Sequence, residues 1–329
     1  MPKFSVIIPT YNRAHYLGEA LGSVLAQTYR DYEVILVDDG STDETKAVAA
    51  RFGSNIRYLY QANQGRSAAR NSGLMAAQGE IIAFLDSDDQ WAGDKLERQF
   101  HYFEKNPEIS MVHGLFEIIG ENGESIPDLT SHVQSDWAKA HARGDTYENW
   151  ALQCCCILST VAVRTEVLQA VGIFDPAILA NEELDLYLRI AARYQIGFLE
   201  NPTLAYYRIH ESNSGSENLA KGAIQVANKH LALLDTIPFP VNRQHAKQNF
   251  QLSLSKSFFQ LGDGKNGRHY FLTSALRNPR ILFTPPFSRL YFASLLPNSL
   301  RTKFATLRQQ LFPTPFEQAI GGTSSVVQS

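Results

Sequence analysis

Asp86, Asp88 and Asp89 fall within four positions at the end of the apolar run Ile81-Ile82-Ala83-Phe84-Leu85. Carboxylates crowded at a strand tip repel one another, and a bound cation would offset that repulsion. Mg²⁺ and Mn²⁺ suit the position, because they take a few carboxylate oxygens and complete their shells with substrate phosphates. The competing reading of the same residues is a solvated acidic turn. Two further polar clusters close apolar runs in the same way. Thr10-Tyr11-Asn12-Arg13 follows Phe4-Ser5-Val6-Ile7-Ile8-Pro9, and Asp38-Asp39-Gly40-Ser41-Thr42-Asp43 follows Glu33-Val34-Ile35-Leu36-Val37.

The elements that must carry these clusters are legible in the hydrophobic pattern. Continuous apolar runs at 4–9, 33–37, 56–60 and 80–85 read as strands buried on both faces. Between them, 16–26, 42–52 and 66–78 have helical spacing or helix-favouring composition, with Ser41 or Thr42 as the expected cap of the second helix. Strand alternating with helix predicts an α/β fold with a mostly parallel sheet flanked by helices. In such open sheets ligands bind beyond the carboxyl ends of the strands, where all three polar clusters fall. That coincidence favours a functional acidic turn over a solvated one. Further on, 96–106 reads as a helix, 111–119 and 154–164 as strands, and 165–171 and 181–194 as helices. The segment 127–149 shows no clear period. From about residue 216 the chain reads as helical.

Taken together, Val6-Ile7-Ile8-Pro9-Thr10-Tyr11-Asn12-Arg13, Val37-Asp38-Asp39-Gly40-Ser41-Thr42-Asp43 and Phe84-Leu85-Asp86-Ser87-Asp88-Asp89 resemble family 2 glycosyltransferases of the GT-A fold. Asn63-Gln64-Gly65-Arg66-Ser67-Ala68-Ala69-Arg70-Asn71 and Gly172-Ile173-Phe174-Asp175 resemble later segments of that family. The resemblance covers roughly residues 3 to 215. It implies an inverting transfer of a sugar from a nucleotide-diphosphate donor, a UDP-sugar first among candidates, with a divalent metal (Mn²⁺ or Mg²⁺). It also implies roles for individual residues. Asp38 or Asp39 would bond the base, and Thr10, Tyr11 and Arg13 would line its pocket. Gly65, Arg66 and Arg70 would meet the nucleotide at a helix start, where N–H groups favour anions. Asp88 would hold the metal, with Asp86 assisting or contacting the ribose; Asp89 would act there or cap the next segment. Tyr207-Arg208-Ile209-His210 resembles the segment closing over the diphosphate, with His210 on metal or phosphate and Arg208 on the diphosphate.

An inverting transfer needs a base that takes the proton of the acceptor hydroxyl. The family places there the Asp of a Glu-Asp pair opening a helix. This chain has Asn181-Glu182-Glu183-Leu184-Asp185-Leu186, which puts Glu183 in that place and leaves Glu182 as the alternative. Glu is competent but one methylene longer. Trp137, His141 and Trp150 fall in the region that would face the acceptor, although core packing is the commoner role for any one of them. The alternative functions are a catalytically silent sugar-nucleotide binding protein and a nucleotidyltransferase. The second would carry a Gly-rich, basic loop where Pro9-Thr10-Tyr11-Asn12-Arg13 stands. A dinucleotide-dependent dehydrogenase is disfavoured because no Gly-x-Gly-x-x-Gly follows the first strand.

The 329 residues carry a formal charge of −3, which argues against a general nucleic-acid surface. That average hides an asymmetry. Between Asp263 and Glu317 there is no acidic residue, while Lys265, Arg268, Arg277, Arg280, Arg289, Arg301, Lys303 and Arg308 all fall there. Interleaved with Phe283, Phe287, Tyr291 and Phe292, they suit contact with an anionic membrane surface or packing on the catalytic part. The expected organisation is a catalytic domain over 1–215, a helical basic region over 216–312 and a disordered tail over 313–329. Three consecutive cysteines, Cys154 to Cys156, offer neither a disulfide framework nor metal-ligand spacing. With no signal-peptide pattern and no long apolar run, the expected place is the cytoplasmic side, with peripheral contact to the inner face of the cell membrane. A glycan or lipid-linked acceptor in cell-surface polysaccharide synthesis would fit it.

Overall fold

The computed structural model describes residues 1–141, 144–152, 156–210, 215–237, 241–283 and 287–295. Ten strands are present among them: β1 (Phe4–Thr10), β2 (Tyr32–Asp38), β3 (Arg57–Tyr60), β4 (Ile81–Phe84), β5 (Gln90–Trp91), β6 (Ile109–Gly114), β7 (Phe116–Ile119), β8 (Ala162–Arg164), β9 (Gln195–Leu199) and β10 (Ala205–Arg208). The α-helices are α1 (Ala14–Leu25), α2 (Thr45–Ala50), α3 (Arg66–Ala76), α4 (Lys95–Lys105), α5 (Pro127–His141), α6 (Tyr147–Trp150), α7 (Thr165–Val171), α8 (Glu182–Ala191), α9 (Ser216–Leu233), α10 (Arg243–Gln260), α11 (Gly264–Arg277) and α12 (Phe287–Ser294).

A seven-stranded sheet runs β3-β2-β1-β4-β8-β6-β9, parallel throughout except that β8 is antiparallel to both its neighbours. The expected α/β sheet flanked by helices is therefore present. Side chains alternate across β1, so Val6 and Ile8 join the core under α1 while Ile7 joins the core on the opposite face. On that second face α3 lies close to the sheet. A Cβ on Gly73 would stand 2.5 Å from Ile7, so only glycine permits this approach.

A three-stranded sheet, β5-β10-β7, stands beside the large one. Its existence explains the main departure from the sequence reading. The apolar run 111–119 is two strands, and they belong to different sheets: β6 to the large one, β7 to the small one. The aspartate turn joins β4 of the large sheet to β5 of the small one, so it sits at their junction. The strand expected at 154–164 is reduced to β8, and 127–149 is largely helical, as α5 and α6. Cys156 is buried, whereas Cys154 and Cys155 lie outside the described residues, as does the expected tail.

Of the helices from residue 216 onward, α9 and α10 pack into the core of the sheet, while Leu252, Phe271 and Ile281 form a small cluster of their own. Val226, Ala227, Leu234, Ala246, Phe250 and Leu254 share one hydrophobic cluster with Phe84, Phe174, Leu186 and Tyr187. Burying apolar surface jointly in this way couples the C-terminal helices to the sheet energetically.

Candidate active site

The turn after β4 is organised from behind by Ser159. Its hydroxyl accepts from the Asp86 N–H at 3.1 Å and donates to Asp89 Oδ2 at 2.6 Å, and its carbonyl accepts from Trp91 Nε1 at 2.7 Å. Asp89 Oδ1 accepts from the Arg208 N–H at 3.0 Å. Asp89 is thus buried and ties β10 to the turn. Burial and then the neighbouring charges of Asp88 and Asp86 raise its carboxyl well above the usual range. Asp86 and Asp88 stay partly open to solvent.

Asp86 faces the basic start of α3. Arg70, almost fully buried, donates to Asp86 Oδ1 at 2.7 Å and to Glu182 Oε1 at 2.5 Å. Arg66 Nε lies 3.5 Å from the same Glu182 oxygen and remains about half exposed. Arg70 also lies over the Phe174 ring, 5.4 Å from its centroid. Asn71 holds that segment, with its amide bonding the Phe174 N–H and carbonyl at 3.0 and 2.9 Å. The two segments that resemble later parts of the family, 63–71 and 172–175, are thus in physical contact.

Glu182 and Glu183 are separated by their environments. Glu182 is fully buried in the arginine cluster, and its second oxygen, Oε2, has no hydrogen-bond partner. Glu183 is partly exposed. Burial of its carboxyl and the adjacent Glu182 charge push it up to about 7, against the pull of Arg70. Of the two candidates, Glu183 is the one free of an ion pair and tuned toward neutral pH.

Opposite them, Asp88 Oδ2 lies 3.0 Å from His210 Nε2 and 3.3 Å from Arg13 Nε. Burial works against ionisation of Asp88, but the His210 hydrogen bond and the Arg13 charge hold its carboxyl below the usual range. The His210 ring stacks on Tyr16 with centroids 5.1 Å apart, and the Tyr16 hydroxyl donates to Glu121. Arg208 is buried beneath them. Its Nε donates to the Asp88 carbonyl at 2.8 Å, Nη1 to the Glu121 carbonyl at 2.8 Å and Nη2 to Glu19 at 2.6 Å. The guanidinium that the resemblance assigns to the diphosphate holds the Asp88 and Glu121 carbonyls and Glu19 here.

At the ends of β1 and β2, Thr10 is buried and its hydroxyl has no hydrogen-bond partner, while Tyr11 is half exposed. Asp38 accepts from the Ser41 N–H and the Tyr58 hydroxyl. Asp39 accepts from Gln61 and from the N–H groups of Gln64 and Gly65. Asp39 therefore shapes the loop before α3, while Asp38 ties the loop after β2 to β3. The side-chain cap expected from Ser41 or Thr42 is not made, since α2 begins after Glu44 without one; Asp43, just before it, accepts from the N–H groups of Ala14 and Thr45 and so ties α1 to α2.

The family model for glycosyl transferase family 2 matches residues 5–169. The chain belongs to that family. It is 34% identical over 250 residues to an uncharacterized glycosyltransferase of Nostoc, covering 70% of this chain and 74% of that one. It is 31% identical to a putative teichuronic acid biosynthesis glycosyltransferase of Bacillus subtilis, TuaG, covering 68% and 84%. Over 200 residues it is 36% identical to a Rickettsia conorii glycosyltransferase, of whose length it spans only 32%. Among solved structures, Staphylococcus aureus TarS residues 1–349 superposes with a TM-score of 0.59 at 19% identity, covering 89% and 90% of the two chains. A mannosyltransferase of Pyrobaculum calidifontis, solved with GDP-Man and Mn²⁺, superposes at 0.57 and 16% identity, covering 94% and 87%. These two likenesses establish the GT-A fold.

For this glycosyltransferase the donor set suits a divalent ion carried in with phosphate. Among the described residues no three His, Cys, Asp or Glu groups converge as a closed metal cage. Ionised Asp88 beside the His210 imidazole offers two ligands at most, which fits a hard cation that fills its remaining positions with phosphate oxygens and water. Sequence reasoning missed Ser159, Tyr16 and Glu19, which fall in no motif and act only through folded contacts, and it gave Asp43, the end of a motif, no role of its own. It also left open Trp150, which is buried between His113 and Tyr187 as a core residue. Trp137 and His141 fall on α5, where their side chains lie outside the described residues.

Proposed function

We propose that this glycosyltransferase moves a sugar, with inversion, from a nucleotide-diphosphate donor to a hydroxyl of a glycan or lipid-linked acceptor. The observation that carries the reading is the division of labour between two adjacent acids, Glu182 locked to Arg70 and Glu183 left partly open with a carboxyl near 7. A base of that strength is half deprotonated at neutral pH and still strong enough to take a hydroxyl proton in the transition state.

In this reading the unpartnered Thr10 hydroxyl and exposed Tyr11 receive the base, with Asp39 holding the loop against it. Arg66, half exposed at the start of α3, is the cation for the diphosphate. Asp88 and His210 would hold a Mn²⁺ or Mg²⁺ ion, which neutralises charge developing on the departing nucleoside diphosphate. Asp86, oriented by Arg70, faces the ribose or the ion's water. Arg208 positions Asp88. A UDP-sugar is the first donor to test, because TarS has been solved with UDP-GlcNAc, and a GDP-sugar is the second. The likeness to TuaG supports an acceptor in cell-surface polysaccharide synthesis.

The test is a transfer and donor-hydrolysis assay across UDP- and GDP-sugars, with Mn²⁺, Mg²⁺ or EDTA. One donor should turn over in a metal-dependent way, and Glu183→Gln should abolish transfer while leaving donor binding intact. Full turnover by Glu183→Gln would overturn the base assignment. Binding without turnover of any donor would favour the silent binding protein.

A basic face on the C-terminal helices supports peripheral contact with anionic lipid. α11 buries Gly267, Phe271, Ser274 and Ala275 and turns Lys265, His269, Leu272 and Leu276 outward at three- and four-residue spacing. Arg280 and Phe283, in the 3₁₀ turn that follows α11, are exposed as well. No described helix is long and apolar enough to cross a membrane. Binding to anionic but not neutral vesicles, weakened by salt and by Leu276→Ser with Phe283→Ser, is the expected result.

A further inference from the structure

We infer that α9, beyond the stretch matched by the family model, is the template that sets the position of the catalytic base. The inference rests on the reading of Glu183 as base. Its evidence is a continuous set of contacts from one face of α9 to residues 175–185, which lead into the base pair.

Asn181, directly before Glu182 and Glu183, sits in the left-handed region with φ 60° and ψ 27°. A non-glycine residue there requires outside support. α9 supplies it. Asn181 Nδ2 donates to the Leu219 carbonyl at 2.8 Å, satisfying the side chain that tolerates this conformation. One turn on, Gly222 allows α9 to press against the preceding peptide, because a Cβ built there would fall 1.9 Å from the Ala180 carbonyl oxygen. Gln225 then accepts from the Leu179 N–H at 3.0 Å. Lys229 bridges Asp175 and Asp185 at 2.7 and 2.9 Å, and His230 Nε2 meets Asp185 Oδ1 at 3.0 Å. Leu219, Gly222, Gln225, Lys229 and His230 recur at helical spacing, so one rigid face reads out the whole segment. Asp185 lies on α8 only two residues past Glu183, and it is fully buried.

The consequence is that the carboxyl of Glu183 is placed from outside its own helix. The charged and titratable groups acting on it come from three other elements besides α8, namely Arg70 on α3, Asp86 in the aspartate turn and Tyr207 on β10. Withdrawing the α9 template would let the start of α8 relax toward solvent. The base would then lose both its reach and its desolvated setting.

The test uses the full chain with Gly222→Ala, and Asn181→Gly compared with Asn181→Ala. Gly222→Ala should lower kcat at least tenfold while donor binding by calorimetry stays within twofold. The acid limb of its pH profile should move to lower pH, because a more solvated carboxyl ionises more readily. Asn181→Gly, which adopts the left-handed conformation freely, should keep activity that Asn181→Ala loses. Should Gly222→Ala misfold, Lys229→Met, which removes the α9 bridge to Asp175 and Asp185, takes its place with the same expected loss of kcat. Equal activity in both asparagine variants, or an unchanged kcat in folded Gly222→Ala, would overturn the inference. Activity surviving in Glu183→Gln would instead overturn the base assignment on which it rests.

Discussion

Arg70 Nη1 and Glu182 Oε1 are 2.5 Å apart, and both side chains are out of water. The same guanidinium reaches Asp86, so one buried cation orients an acid on each side of the site. Removing one partner of a buried pair leaves an uncompensated charge, typically at about 3–5 kcal/mol. Arg70→Met should therefore lower the melting temperature by many degrees in calorimetry. Arg70→Met combined with Glu182→Gln should recover part of that loss; a double variant no more stable than the single one would speak against the pair as the origin.

The pH dependence of turnover should follow Glu183. A base works deprotonated, so kcat/KM should rise with pH and level off above about 7, the value to which burial and Glu182 push this carboxyl. Glu183→Gln should reduce kcat by roughly 10²–10⁴, the usual contribution of a positioned base. A rate already flat from pH 5 upward in the wild type would exclude this assignment.

Asp88→Asn should weaken the response to metal far more than the fold. The substitution removes the anionic partner of the buried His210 ring and of the partly exposed Arg13, while the isosteric amide keeps a hydrogen-bonding oxygen between them. The concentration of Mn²⁺ giving half-maximal activity should increase at least tenfold, with the melting temperature in EDTA changed by only a few degrees. Titration of activity with metal separates this from general damage.

Arg208→Lys should behave as a structural substitution. A lysine cannot reproduce the fork that holds the Asp88 and Glu121 carbonyls together with Glu19. The expected outcome is a lower melting temperature with a donor KM changed less than threefold in whatever enzyme remains folded. A selective rise in donor KM at unchanged stability would restore the direct diphosphate role implied by the family resemblance.

Asp185 should govern acid stability. Burial alone would raise its carboxyl, but the hydrogen bond from His230 and the charges of Arg189 and Lys229 hold it well below the usual range. A carboxyl lowered on folding contributes stability that is fully present above the unfolded value of about 4 and fades as pH falls below it. Asp185→Asn should be less stable than wild type at pH 7, and the gap should narrow as pH falls below about 4. Parallel denaturation curves at several pH values provide the comparison.

Much of this was legible in residue order. Apolar runs ending in Thr10, Asp38 and Asp86 define a parallel sheet and place three polar clusters at its carboxyl edge, because strand burial and side-chain alternation are local properties. The pairing of Asp88 with His210 was foreshadowed only by family resemblance, since 122 positions separate them. The split of 109–119 between two sheets was hidden, because both strands are apolar and only one residue, Leu115, lies between them.

The sequence by itself determined the α/β class, the acidic turn and the pair of candidate bases. Tertiary structure alone decided which acid is tied and which is open. Glu182 and Glu183 are chemically identical neighbours, and helical geometry turns successive side chains about 100° apart around the axis. One therefore faces Arg70 and the other faces the opening. Whether a carboxylate is paired or desolvated depends on groups more than a hundred residues away, and that information exists only once the chain has folded.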